Sequence, residues 1–215
     1  MGGTALRFAH NLPRFSEDLD FNAKKLSSSE FDELLNFVKT HLGNEGFKIN
    51  VKRKDIYDVF SARVGFISVM NNFGLADTRG EDIVVKLKVN NPEWRIKGEA
   101  VAFSFFGFLF TALVMDKGSL MAEKSHALIH RGRGRDIYDV LFLLRLKFPL
   151  DKKMFLAKKI KGDPKKVLLS KFGSLKETEC KKLARQLQPF LFNEDDIALV
   201  EKVAFYGQQL LKSYN

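Results

Sequence analysis

The stretch GGTALRFAHNLPRFSEDLDF, residues Gly2 to Phe21, decides how this chain is read. Asp18-Leu19-Asp20-Phe21 alternates polar and apolar residues as a half-buried strand does, and residues two apart on a strand share one face. The Asp18 and Asp20 carboxylates therefore project together. Two carboxylates held that close repel unless a cation lies between them, which is how Mg²⁺ (or Mn²⁺) is held for phosphoryl transfer. Upstream, Gly2-Gly3-Thr4 opens a helix whose apolar residues Ala5, Leu6, Phe8 and Ala9 keep helical spacing, and Pro13 ends it. Glycines at a helix start let phosphate oxygens approach backbone N–H groups at the positive end of the helix dipole. Arg14 and Ser16 flank the acids and are candidate phosphate contacts. A lone Asp-x-Asp is usually a solvated strand face and a lone Gly-Gly usually a turn. Joined by one short helix they imply in-line attack on the α-phosphate of an NTP, with metal stabilising the attacking and leaving oxygens.

Working outward, 215 residues suit one compact domain or two small lobes sharing a cleft. The 45% of hydrophobic residues is ample for a core, which the 21 Phe are expected to fill. A net charge of +10 attracts polyanions such as RNA, DNA or nucleotide phosphates without saying which. The single cysteine, Cys180, excludes an internal disulfide, and with no CxxC motif the expected setting is a reducing cytoplasm. The longest apolar run, Ala100 to Met115, falls short of the roughly 20 residues that span a bilayer and reads as one or two buried strands. No membrane partner is expected. Met1 stands directly against Gly2-Gly3, so the expectation is that either the start lies further upstream or an N-terminal helix or strand has been lost.

The remaining chain divides by period. Ser27 and Glu30 have capping-box spacing and open a helix running through Phe31, Leu34, Leu35 and Val38 to about Leu42, with Gly43 as its stop. Phe47 to Arg53, Val59 to Val69 and Ile83 to Val89 are β-rich, and Asp77 to Asp82 is a polar loop. From Lys117 the pattern is helical: Gly118 to Arg131, Asp136 to Lys147, Leu150 to Lys161, one or two helices within Pro164 to Phe190, and Glu194 to Tyr214. The fold class is α+β, a mixed sheet with flanking helices followed by a helical lobe.

A second constellation lies in that helical part. Lys124 sits on the helix ending near Arg131, and a basic loop holding Arg131, Arg133 and Arg135 leads into Asp136-Ile137-Tyr138-Asp139. Asp136 at a helix start serves equally well as a cap that complements the dipole and as a group orienting a triphosphate whose charge Lys124 neutralises. The three arginines are candidate RNA or phosphate contacts. His126 and His130 have i, i+4 spacing, but no Glu follows His126 as a zincin motif requires.

The pairing of diglycine with Asp-hydrophobic-Asp-hydrophobic resembles the DNA polymerase β-like nucleotidyltransferases. The fuller string through Phe21 is similar to the first motif of the AbiEii toxin nucleotidyltransferases. Lys124-x-x-Ala127-Leu128 followed by Arg135-Asp136-x-Tyr138-Asp139 looks like that family's downstream motif. The resemblance implies a nucleotidyltransferase fold over residues 1–116 and a helical lobe over 117–215, with the site between them. It implies that Asp18 and Asp20 hold Mg²⁺ and that Lys124 and Asp136 are active-site residues, with Asp139 structural. Gly2, Gly3, Thr4, Arg14, Ser16 and Lys86 would bind the nucleotide. It implies a bacterial toxin with a separately encoded antitoxin, moving an NMP from an NTP to RNA or tRNA. Transfer to a protein hydroxyl or a small molecule, or a decayed relative that only binds, are the rival readings. One departure stands out: where the family commonly carries an acidic residue on a later strand, this chain has Lys88. A one-metal site, a substitute acid such as Glu81 or Asp82, or a degraded site each fit that change.

Overall fold

The computed structural model describes residues 1–75, 82–92, 97–105 and 107–214. Helix accounts for 52% and strand for 22%, so the chain is α+β as the sequence implied. It divides into two compact units, Met1–Thr4 with Glu17–Glu93, and Ala5–Ser16 with Trp94–Asn215. Helix α1 (Gly2–His10) contributes its first turn to the first unit and its remainder to the second.

The first unit is built on a four-stranded sheet, β1 (Asp18–Asn22), β2 (Ile49–Arg53), β3 (Val59–Phe66) and β4 (Ile83–Asn90), in the order β1-β4-β3-β2. β1 runs parallel to β4 with Asp20 opposite Lys88, while β4–β3 and β3–β2 are antiparallel. Helix α2 (Ser28–Asn44) enters through the expected capping box: the Ser27 hydroxyl accepts from the Glu30 N–H (3.2 Å) and the Glu30 carboxylate from the Ser27 N–H (2.7 Å). Gly43 lies within the helix rather than past its end, and the left-handed turn falls to Gly46 at φ +87°. Phe31 and Leu35 of α2 join Ala62, Leu87 and Val89 of the sheet in a core. Arg53 caps it with its guanidinium 5.2 Å from the Phe31 and Phe60 rings.

Strand period leaves the other sheet face polar. By register it carries Asp18 and Asp20 on β1, Lys86 and Lys88 on β4, Ser61 and Arg63 on β3, and Lys52 on β2. A short helix α3 (Val69–Asn72) follows β3.

The second unit holds a hairpin, β5 (Gly98–Phe105) and β6 (Phe108–Met115), and, among the described residues, seven whole α-helices with two short 3-10 turns. The α-helices are α4 (Lys117–His130), α5 (Gly134–Arg145), α6 (Lys152–Ala157), α7 (Pro164–Ser174), α8 (Glu177–Leu187), α9 (Ile197–Glu201) and α10 (Val203–Lys212). The apolar run at 100–115 is two strands, but not the buried ones the sequence suggested: Phe108, Leu109, Phe110 and Leu113 are exposed. Helix α5 is buried from Asp136 to Leu144, including the two acids Asp136 and Asp139. α6 is shorter than its sequence period suggested because Lys159, at φ +60°, turns the chain out of the helix. α10 crosses α7 so closely that a Cβ on Gly207 would fall 2.4 Å from a Phe172 ring carbon, which only glycine allows. No described helix is long and apolar enough to cross a membrane.

Candidate active site

β1 is an edge strand, so half its carbonyls face away from β4, and the first turn of α1 occupies that open edge. The Met1 nitrogen donates to the Asp20 carbonyl (2.8 Å), and the Thr4 hydroxyl donates to the Asp18 carbonyl (2.5 Å). These two bonds press Gly2 against the acid pair. Gly2 sits at φ +79°, and a Cβ there would lie 2.3 Å from Asp20 Oδ2. Glycine is required here twice over, by the left-handed backbone and by the carboxylate at its side. The first N–H groups of any helix lack intrahelical partners, so the turn at Gly2, Gly3 and Thr4 brings backbone donors beside the acids.

Asp18 and Asp20 share one face, each about a quarter exposed, as the strand period required. The cation beside them is a lysine. Lys88 Nζ lies 2.7 Å from Asp18 Oδ2 and 4.0 Å from Asp20 Oδ1. One ammonium thus lies near both carboxylates, closer to Asp18 than to Asp20. Asp18 Oδ1 is buried without a hydrogen-bond partner among the described residues. Lys86 stands on the same face, opposite Asp18 in the register. Of the two substitute acids, Glu81 lies outside the described residues. Asp82 accepts from the Ser68 N–H (3.1 Å) and precedes Lys88 by six residues, roughly 20 Å along a strand. It does not supply a third carboxylate to the pair.

A second ionic cluster occupies the interior of the second unit. Arg14, predicted as a phosphate contact, is 3% exposed and grips Asp139 with both nitrogens of its fork, Nε to Oδ1 and Nη2 to Oδ2, each at 2.7 Å. Its Nη1 donates to the Phe15 carbonyl (2.8 Å). Lys124 Nζ lies 2.8 Å from Asp139 Oδ2. Burial disfavours the Asp139 charge, yet Lys124 and Arg14 together hold its carboxyl below the ordinary carboxylate range. Asp136, also buried, accepts from the Arg133 N–H (3.0 Å) at the start of α5 and pairs with Arg131. Lys124 thus meets Asp139, which the sequence marked as structural. Sequence reasoning missed this because α5 presents both acids near one turn, and only the long-range partner, Arg14, tells them apart.

Of the remaining candidates, Ser16 is half-buried, Arg131 and Arg133 are exposed, and Arg135 lies with its guanidinium 4.7 Å from the Phe190 ring. His126 and His130 face each other with ring centroids 4.2 Å apart. Burial first, then His130, lowers the His126 pKa. No group of three or more His, Cys, Asp or Glu able to hold a metal occurs among the described residues.

A family model described as nucleotidyl transferase AbiEii toxin, type IV toxin–antitoxin system, matches residues 1–203. The chain belongs to the AbiEii family. No curated protein and no solved structure matches it. Membership makes nucleotidyl transfer the reaction of the family and a toxin–antitoxin system its setting. The match takes in both constellations, Gly2 to Phe21 and Lys124 to Asp139.

Proposed function

We propose that this AbiEii protein transfers an NMP from an NTP to an RNA acceptor, using Asp18 and Asp20 to hold a divalent cation. The observation that carries the reading is Gly2 set without a Cβ against the Asp20 carboxylate, which keeps the helix N-terminus open beside the acids. The residues present fit such an ion: two carboxylates share a face, and a buried Asp18 oxygen lacks a partner. A bound Mg²⁺ would supply charge neutralisation at the reacting phosphate and lower the pKa of an attacking hydroxyl. The chain's own part is orientation. The N–H groups of Gly2, Gly3 and Thr4 receive phosphate oxygens, and Lys86 and Lys88 offset triphosphate charge. Lys124 and Asp136 enter this reading through the family motif alone.

Charge distribution supports a polyanionic acceptor. The second unit carries 25 Lys and Arg against 13 Asp and Glu, while the first carries 11 against 13, so the whole surplus lies in the helical unit. Phosphate contacts by such surfaces give affinity that falls steeply with salt. An antitoxin encoded beside the toxin completes the proposed setting.

Lys88 in the place of a carboxylate favours a second reading, a non-catalytic relative that keeps the basic surface. Thermal unfolding separates the two. The wild type should melt higher with Mg²⁺ and one of the four NTPs, and Asp18→Asn should abolish that gain at an unchanged basal midpoint. A wild type with no shift under any NTP supports the binding-only protein.

A further inference from the structure

At the Asp18 cluster, a quarter to a third exposed, the cation is part of the chain. Lys88 is placed by register directly beside Asp20 and reaches diagonally to Asp18 Oδ2 at 2.7 Å. Its ammonium therefore stands where a cation bridging the two carboxylates would stand. A structural ion pair would match one charge with one. Here a single ammonium faces two carboxylates, at 2.7 and 4.0 Å, and leaves Asp18 Oδ1 unsatisfied. The cluster is loosely held: the side chains of Lys88, Asp18 and Asp20 are 33%, 27% and 26% exposed. Ion pairs open to water to that degree are weak and exchange readily. By contrast the Lys124–Asp139 pair, at 9% and 1%, is sealed.

We propose that Lys88 is the resident counter-ion of the Asp18–Asp20 pair, a built-in competitor that a divalent ion must displace. In the empty protein the ammonium screens the carboxylates against metal. When a nucleotide arrives, its phosphates offer the ammonium a second anion, the lysine turns to them, and the carboxylates are released to the ion. Metal loading thereby waits on the nucleotide. Lys88 is a positioning residue in this account. No bond is made or broken in the exchange. The proposal rests on the reading of Asp18 and Asp20 as metal ligands, and its test does not require turnover.

The probe is Mn²⁺, followed by electron paramagnetic resonance of the free ion, on the full chain without nucleotide. Lys88→Met keeps the length of the side chain and removes its charge. The wild type should bind Mn²⁺ at least tenfold more weakly than Lys88→Met, and the gain should vanish in Lys88→Met combined with Asp18→Asn. A non-hydrolysable NTP analogue should tighten Mn²⁺ binding to the wild type more than to Lys88→Met. Lys88→Gln gives the same reading should the methionine variant fail to fold, with melting curves as the control. Equal Mn²⁺ affinity in wild type and both variants would overturn the proposal, as would a gain that survives Asp18→Asn. Those failures leave nucleotidyl transfer standing if label from an NTP still reaches RNA. Tight Mn²⁺ binding to Lys88→Met with no effect of the nucleotide analogue on the wild type would overturn the nucleotide-dependent release of the carboxylates.

Discussion

The protein contains two clusters of carboxylate and cation that look alike on paper and differ in every physical respect. Around Asp139, two cations surround one acid, all three are nearly inaccessible to water, and the Arg14 contact is a bidentate fork. Around Lys88, one cation serves two acids on an open sheet face. A buried charge must keep its partners, because leaving one unpaired in a low-dielectric interior is costly. A half-solvated charge gives up a partner cheaply, since water replaces it. The first cluster is sealed in the interior, and on the proposed function it is the second that exchanges ligands.

The largest effect that would test this contrast is Asp139→Ala. It strands Arg14 and Lys124 without a counter-ion and should cost about 3–5 kcal/mol of stability. In a chain of this size that lowers the melting midpoint by roughly 10 °C, read by circular dichroism. Acid sharpens the same point. Because Asp139 is held below its ordinary value of 3.8, its contribution is complete above that pH and is lost as pH falls through the depressed folded-state value. The variant should lack that acid limb; a wild type and Asp139→Ala with parallel stability curves below pH 4 would break the comparison.

Gly2→Ala is smaller in stability and larger in function. A Cβ at φ +79° pressed against the Asp20 carboxylate should cost about 1–3 kcal/mol. It should also remove the melting shift given by Mg²⁺ and an NTP, since the added carbon pushes the acid aside. Smallest of all is Lys88→Met, expected to change stability by less than about 1 kcal/mol by urea unfolding. A loss as large as that of Asp139→Ala would show the open cluster to be structural after all.

How far these clusters were legible in the sequence follows from the range of their contacts. The shared face of Asp18 and Asp20 needs only a strand's period of two, and the capping box at Ser27 needs only a three-residue offset. Both are local, and both were readable. Arg14 pairs with Asp139 across 125 positions, and nothing near either residue announces the other. Arg14 was read as a phosphate contact because it flanks the acids, whereas a buried carboxylate far along the chain holds it. Lys88 was visible as a departure from a family pattern, but its bond to Asp18 depends on which residues of two parallel strands stand opposite, a register that no local signal sets. The apolar run at 100–115 concealed its turn because its sides do not alternate in polarity. Gly107, at φ +84°, is where the chain reverses.

The account stands on nucleotide transfer at Asp18 and Asp20, and one measurement meets it directly. The protein is incubated with Mg²⁺, total RNA and each NTP in turn, labelled either at the α- or at the γ-phosphate. The wild type should move the α-label, and not the γ-label, from one or more NTPs into a product that ribonuclease destroys, and Asp20→Asn should not. An α-label that stays unincorporated with all four NTPs, or one transferred equally by Asp20→Asn, would contradict it.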